Sequence, residues 1–309
     1  MSTFVSIGNG TQSFIRLLDE IAAIADTLPQ PVLVQHGTTQ FECGRTSNFA
    51  FVDQEKFETL LADCFLFITH GGGGSVFAAL RHGKKPVVVP RLQKFYEIVD
   101  DHQLAFVDEL AKQELIYPAI DISSLRAAIS AAVAKPNLDK KFEGSSTAHT
   151  TIGKALEALA PNGGKLLLVC PSGGHLSEIR AMQSIYAARP HFYVLNVPII
   201  ESPDMKGRTQ IITLSQRDWK FLINLWEAFS IIRREKPAAI LTTGGGFSVA
   251  FALVGKLLGV PTAYVETVAK VNIPTVTGRI MYHLVDRFFY QWPYLKEFFP
   301  RGEYVGLIL

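Results

Sequence analysis

The chain has 309 residues, 48% of them hydrophobic, and a formal net charge of +2. Its length and its mean hydropathy of +0.20 exclude a disordered chain and predict two domains, each large enough for its own core. Cys43, Cys64 and Cys170 lie far apart with no C-x-x-C pair, which argues against a disulfide framework or zinc site and for a reducing compartment.

The opening Met1-Ser2-Thr3-Phe4 lacks the basic start and apolar run of a signal peptide, so no such leader is expected. Charge is divided unevenly. From Gly163 onward there are 16 basic and 10 acidic side chains, against 14 and 18 before it. A basic half suits an anionic partner such as a membrane surface or lipid diphosphate, and ordinary surface variation explains it equally well.

In chain order, Phe4–Ile7 reads as a strand that runs into Gly8-Asn9-Gly10-Thr11. Phe14, Leu17, Leu18, Ile21 and Ile24 then recur at helical spacing. Pro31–Gln35 reads as a strand, and Gln54–Asp63 as a helix with Asp53 as its N-cap. A strand over Phe65–Thr69 enters Gly71–Gly74, and a helix leaves from Ser75 to His82. Pro86–Pro90 is a buried-type strand, followed by helices near Asp101–Lys112 and Ser123–Ala134. The polar stretch Lys135–Thr151 reads as a linker or a mobile segment, and Pro161-Asn162-Gly163-Gly164 as the turn-rich domain break.

The second half restarts the pattern. A strand over Lys165–Cys170 leads into Pro171-Ser172-Gly173-Gly174-His175. Strands near His191–Asn196 and Thr209–Leu214 precede a helix from Trp219 to Glu235. Its apolar residues and terminal Arg233-Arg234 fit a core helix better than one lying on a bilayer. Ala239–Thr243 runs into Gly244-Gly245-Gly246 and another helix ending near Gly259. The uncharged stretch Pro237–Gly255 reads as strand, loop and buried helix, because three glycines interrupt it and Lys256 follows. A strand over Thr262–Glu266, a helix near Pro274–Val285 and a strand over Arg287–Gln291 complete the set. Each half is therefore βαβα, which predicts an α/β fold of two parallel sheets covered by helices.

Glycine clusters at strand ends that open helices present free backbone N–H groups, a setting for phosphate or diphosphate. The common nucleotide fingerprints are absent. No Gly-Lys-Ser/Thr closes a P-loop, and Gly8-Asn9-Gly10 is followed by Ser13 where a dinucleotide site needs a third glycine.

The string THGGGGSVFAALRHGKKPVVVPR, with Glu97 and Asp100-Asp101-His102-Gln103 after it, resembles the donor domain of GT-B glycosyltransferases. It is most similar to the donor subunit of the two-part lipid-linked N-acetylglucosaminyltransferase and its bacterial exopolysaccharide counterparts. VSIGNGTQSF is similar to their first donor-side loop. PSGGHLSE, LTTGGGFSVAFALVGKLLGVPTAYVET and Tyr290-Gln291-Trp292-Pro293 resemble the membrane-partner subunit, and also the acceptor domain of the lipid II-forming peptidoglycan enzyme.

The resemblance covers nearly the whole chain. It implies a GT-B fold in which residues 1–150 bind a nucleotide sugar, residues 163–309 bind a lipid-linked acceptor, and both face a central cleft. The donor half comes first, the reverse of the usual single-chain order. The implied activity is inverting transfer of a sugar from a UDP-sugar to a polyprenyl-diphosphate-linked saccharide, without metal. The implied setting is cytoplasmic, peripheral on the inner face of the membrane, with no nucleic-acid partner. A UDP-sugar epimerase and a non-catalytic UDP-sugar-binding subunit are the alternatives.

On this resemblance the donor contacts are Gly8, Asn9, Gly10, Thr11, His70, Gly72, Gly73, Gly74, Ser75, Glu97, Asp101, His102 and Gln103. Backbone N–H groups at the second of these loops would stabilise the departing UDP as an oxyanion hole does. The acceptor contacts are Ser172, Gly173, Gly174, Gly244, Gly245, Gly246 and Glu266. His175 is the expected base, since an imidazole has a suitable pKa, with Glu178 as its orienter or rival. Asp101 has a simpler role open to it, as a helix cap, and Glu266 one as a satisfied rim residue. Ala78 stands where many relatives carry a ribose-binding glutamate, and Thr267 where the partner subunit usually has serine.

Overall fold

The computed structural model describes residues 1–139, 142, 144–197, 205–215 and 218–308. It divides into two compact units, Met1–Glu143 and Gly144–Leu309.

The first unit carries β1 (Thr3–Ser6), α1 (Ile15–Ile24), β2 (Val32–Gln35), β3 (Ser47–Phe49) and α2 (Gln54–Asp63). It continues with β4 (Leu66–His70), α3 (Gly73–Arg81), β5 (Val87–Val89), α4 (His102–Lys112), β6 (Tyr117–Pro118) and α5 (Leu125–Ala134). Its six strands run in the order β3-β2-β1-β4-β5-β6, every neighbouring pair parallel. The central strands are buried on both faces, which is why they read as continuous apolar runs. Leu17, Leu18 and Ile21 of α1 pack with Val5, Val34 and Ile68 on one face, while Phe4, Phe67, Leu61 and Ala78 pack on the other.

The second unit carries α6 (Ser146–Leu159), β7 (Leu166–Val169), α7 (Gly174–Ala181), α8 (Gln183–Tyr186), β8 (His191–Leu195) and β9 (Thr209–Ile211). It continues with α9 (Lys220–Glu235), β10 (Ala239–Thr242), α10 (Ser248–Leu258), β11 (Thr262–Val265), α11 (Val276–Leu284), β12 (Arg287–Tyr290) and β13 (Glu303–Tyr304). Its order is β13-β12-β11-β10-β7-β8-β9, again all parallel. Read from β9, this repeats the strand order of the first unit with one strand more. Strand order reverses between β1 and β4, and between β7 and β10. Such switch points open a crevice beyond the carboxyl ends of the strands, where doubly wound folds bind ligands.

Three expectations change. The stretch Lys135–Thr151, read as a linker, includes the start of α6, whose Ala148, Ile152 and Leu156 are buried in the second unit. Polar neighbours mask that four-residue spacing in the sequence. Lys140, Lys141 and Glu143 of that stretch lie outside the described residues. The compact units thus part at 143/144 rather than near 161–164. Second, α9 is not wholly a core helix. Asn224, Ala228, Ile231 and Ile232 are buried, but Leu222, Trp226 and Phe229 are exposed. Third, α3 begins at Gly73, so the glycines themselves form its first turn.

Candidate functional site

In the first unit, the loops after β1 and β4 flank the switch point. Gly8 has φ +74°, and its N–H donates to Ser6 Oγ. Gln35 Nε2 donates to Asn9 Oδ1, and Thr38 Oγ1 to the carbonyl of Thr11, so β2 and its following turn hold one side of this loop. His70 holds the other. A Cβ on Gly8 would lie 2.4 Å from the His70 ring, and one on Gly72 would lie 2.1 Å from it. Glycine is required at both positions because the imidazole lies between the two loops. Burial, then the nearby Arg91 charge, push the His70 pKa down to about 3, so the ring is neutral.

Gly72 is the N-cap of α3 and no side chain caps that helix. The N–H groups of Gly73, Gly74 and Ser75 belong to its first turn, which lacks intrahelical acceptors. The Ser75 hydroxyl makes no hydrogen bond among the described residues. Donors of this kind, with the partial positive charge of a helix start, suit an anionic oxygen.

Gln103 is buried against Gly71, and its Oε1 accepts from Arg91 N at 2.9 Å. No hydrogen bond is made by its amide N–H₂ among the described residues. Asp101 does not cap α4: its Oδ1 accepts from Gln93 N at 2.7 Å. Asp100 takes the capping role instead, accepting from His102 N and pairing with the His102 ring.

Glu97 is a correction. It is buried, pairs with Arg16 at 2.9 Å and accepts from Leu92 N, so its carboxylate is already satisfied inside the fold. The expected donor contact gives way to this structural pairing, whose partner lies 81 residues away and leaves no local mark in the sequence. Ala78 is 2% exposed among Phe4, Leu61, Cys64 and Phe67, an apolar site with no partner for a carboxylate.

In the second unit, the loops after β7 and β10 flank the other switch point. Gly244 and Gly245 have φ of +118° and +91°. A Cβ on Gly245 would lie 2.4 Å from Pro171, and one on Gly244 would lie 3.4 Å from the His175 ring. Thr243 Oγ1 donates to the His175 carbonyl at 3.1 Å, so the two loops are locked side by side. Ser172 is tied back to the end of β8, its N–H donating to Asn196 and its hydroxyl to the Val197 carbonyl. A Cβ on Gly173 or Gly174 would meet open space, so the start of α7 is unobstructed at these two glycines. Gly246 is exposed.

Glu178 and Glu266 are also corrections. Glu178 lies on the buried side of α7, where Oε1 accepts from Thr267 Oγ1 at 2.6 Å and Val268 N at 3.1 Å. Oε2 has no hydrogen-bond partner among the described residues. Burial pushes its carboxyl up to about 8, against the opposing effect of those hydrogen bonds, so near neutrality it is a buried acid rather than a base. Glu266 is fully buried and accepts from Tyr264 OH at 3.0 Å and Thr275 Oγ1 at 3.2 Å, so it is a satisfied core carboxylate rather than a ligand for a hydroxyl. Burial raises it to about 6. The Gln291-Trp292 pair is buried and holds the same strand end, donating to the carbonyls of Glu266 and Val268.

These shifts set a pH dependence. An unfolded glutamate titrates near 4.3. Between that value and the folded values, the native state keeps protons that the unfolded chain releases. The contribution is fully present below the unfolded pKa and lost as pH rises through about 6 and then about 8. Thermal unfolding followed from pH 5 to pH 8 will therefore show a falling midpoint, and Glu178→Gln will flatten much of the fall. An unchanged slope in that variant would refute the assignment.

Residues 4–156 match the glycosyltransferase family 28 C-terminal domain. Residues 205–308 match the family described as oligosaccharide biosynthesis protein Alg14 like. The UDP-N-acetylglucosamine transferase subunit ALG14 of Rattus norvegicus is 30% identical over 182 residues, covering 47% of this chain and 82% of the relative. The chain belongs to the Alg14 family. The mouse protein of the same name is 30% identical over 184 residues, covering 47% of this chain and 83% of its own length. Among solved structures, UDP-GlcNAc 2-epimerase from Methanocaldococcus jannaschii aligns over 97% of this chain and 91% of its own, at 12% identity and a TM-score of 0.24. The Neisseria meningitidis epimerase aligns over 91% and 85%, at 12% identity and a TM-score of 0.23. Scores this low carry no weight beside the strand order. In this Alg14-family chain, every donor candidate falls inside the family 28 match. Gly244–Gly246 and Glu266 fall inside the Alg14-like match, and Ser172–His175 precede it.

Sequence reasoning missed Arg91, Arg16 and the Tyr264–Thr275–Gly278 surround of Glu266. The one mark Arg91 leaves in the sequence is its place directly after the apolar strand and Pro90; its burial is visible only in the fold.

Proposed function

We propose that the chain is an inverting, metal-independent glycosyltransferase that joins a donor half and an Alg14-like acceptor half in one polypeptide. It takes a sugar from a UDP-sugar and passes it to a saccharide on a polyprenyl diphosphate, extending a lipid-linked glycan precursor. The observation that supports this most is the pair of switch points, each flanked by glycine loops that open onto helix starts. Diphosphate groups on both substrates fit such loops. The donor role falls to Gly8–Thr11, Gly72–Ser75 and the Gln103 amide, and the acceptor role to Gly173, Gly174 and Gly244–Gly246. His175, beside Gly244, is the proposed base.

A membrane-facing role for the second unit fits its surface. No helix among the described residues is long and apolar enough to cross a membrane. However, Leu222, Trp226 and Phe229 of α9, Leu253 and Leu257 of α10, and Val276 and Ile280 of α11 are exposed. Lys220, Arg233, Arg234, Lys256 and Arg279 on the same three helices are exposed with them. Apolar side chains flanked by cations suit an anionic bilayer surface.

The buried Ala78 favours a second reading, a non-catalytic subunit that binds nucleotide weakly. One experiment separates them. A panel of labelled UDP-sugars is incubated with the protein and vesicles carrying a monosaccharide-primed polyprenyl diphosphate, and label is scored in the organic phase. One donor is expected to transfer label. The double variant Leu222→Glu, Trp226→Glu is expected to lose most of that lipid-phase product while UDP binding by calorimetry is unchanged. Weak UDP binding with no transfer from any donor would favour the subunit reading, and altered UDP-sugar without lipid would favour an epimerase.

A further inference from the structure

Arg91 is 3% exposed, yet it touches no carboxylate. Its Nη1 donates to the carbonyls of Gln12 at 2.8 Å, Ser13 at 3.3 Å and Glu97 at 3.2 Å. Its Nη2 donates to the Ile7 carbonyl at 3.0 Å. The guanidinium lies 4.6 Å from the centre of the Phe14 ring, and a Cβ on Gly10 would come within 4.0 Å of Nη2. The backbone N–H of the same residue donates to Gln103 Oε1. The Glu97 carboxylate, held by Arg16, fixes the far side of this arrangement by accepting from Leu92 N.

One buried side chain thus ties both ends of the loop after β1 to the segment before α4, and the backbone N–H of the same residue orients the Gln103 amide. Its hydrogen-bond partners are carbonyls, and the Glu97 carboxylate, which acts on it only through space, is already paired with Arg16. A lysine could supply the charge at this place, but only a planar fork reaches carbonyls at both ends of one loop.

We infer that Arg91 is the positioning residue of the donor site: it sets the loop Ile7–Ser13 in register with Gly72–Ser75 and makes the pocket cationic toward a nucleoside diphosphate, without itself touching the ligand. The inference rests on the donor role proposed above for these loops. Loops held to within a fraction of an ångström are what a multidentate diphosphate site requires.

The test uses the full chain and UDP as the probe, with binding read by calorimetry and folding by thermal unfolding. Wild-type protein is expected to bind UDP. Arg91→Lys keeps the charge and loses the fork, and is expected to fold while weakening UDP binding by about ten-fold or more. Arg91→Ala is expected to lose more, and about 20 mM guanidinium, far below denaturing concentration, is expected to restore part of it. A purely structural arginine would lower the unfolding midpoint in both variants and leave UDP affinity in the folded fraction unchanged, which would overturn the inference. If neither variant folds, hydrogen exchange on the wild type decides. UDP should protect the amides of residues 8–13 together with those of 72–75, and protection of 72–75 alone overturns the proposal. Wild-type protein that binds no UDP defeats the donor reading itself, a result distinct from the others.

Discussion

Gly278→Ala is expected to destabilise the second unit by about 2–4 kcal/mol, although alanine is the better helix former by about 1 kcal/mol. Gly278 sits in the first turn of α11, where its N–H donates to the N-cap Thr275 Oγ1 at 2.7 Å. The Glu266 carboxylate lies against it. A Cβ there would fall 1.7 Å from Glu266 Oε2 and 2.8 Å from Cδ. A flexible surface glutamate would swing aside at little cost. This one is 0% exposed, and its oxygens accept from Tyr264 OH, Thr275 Oγ1 and Thr275 N. Moving it breaks those bonds where water cannot replace them. The expected fall in unfolding midpoint is about 5–10 °C for a unit of this size. Because the clash is with the carboxylate, the effects of Gly278→Ala and Glu266→Ala should not add: the double variant should be markedly more stable than their sum. A Gly278→Ala protein as stable as wild type would show that helix propensity outweighs the contact.

His175→Ala is expected to lower the turnover of sugar transfer by about 10²–10⁴-fold, the usual worth of a positioned general base, with UDP affinity unchanged. The proposal separates the two effects because His175 belongs to the second unit, at the start of α7, whereas the donor loops belong to the first. The ring lies beside Gly244, and the backbone at Gly173 and Gly174 is open. Glu178 cannot substitute, since it is buried and tied to Thr267 and Val268. Transfer at the wild-type rate, or a collapse of UDP binding with transfer otherwise intact, would remove His175 from the role of base.

Much of the loop framework was legible in the chain itself. Phe65–Thr69 and Ala239–Thr243 run apolar into glycine, and the strands β4 and β10 end where those runs end. Three of the four edge strands left no mark in the sequence: β3, β6 and β13 have two or three residues each and little apolar content, so no period marks them, whereas β9 falls within the expected Thr209–Leu214 strand. The candidate acids fared differently from the glycines. Glu97, Glu178 and Glu266 all stand near loops that bear on the site, and a chain of letters offers no reason to prefer a ligand over a core partner for any of them. In the folded protein each is buried and satisfied, at least in part, by neighbours within the unit.

The amino-acid order alone determined that this protein is two parallel α/β units with glycine at the strand ends, because strand, turn and helix periods are local and survive without knowledge of contacts. Tertiary structure decided which polar groups remain available to a ligand. The partners that occupy Glu97 and Glu178 lie 81 and 89 residues away, and pairing at that range is set by how strands and helices pack. The same packing buried Arg91 among carbonyls and turned Leu222, Trp226 and Phe229 outward, since a helix covering a sheet hides only the face that meets it.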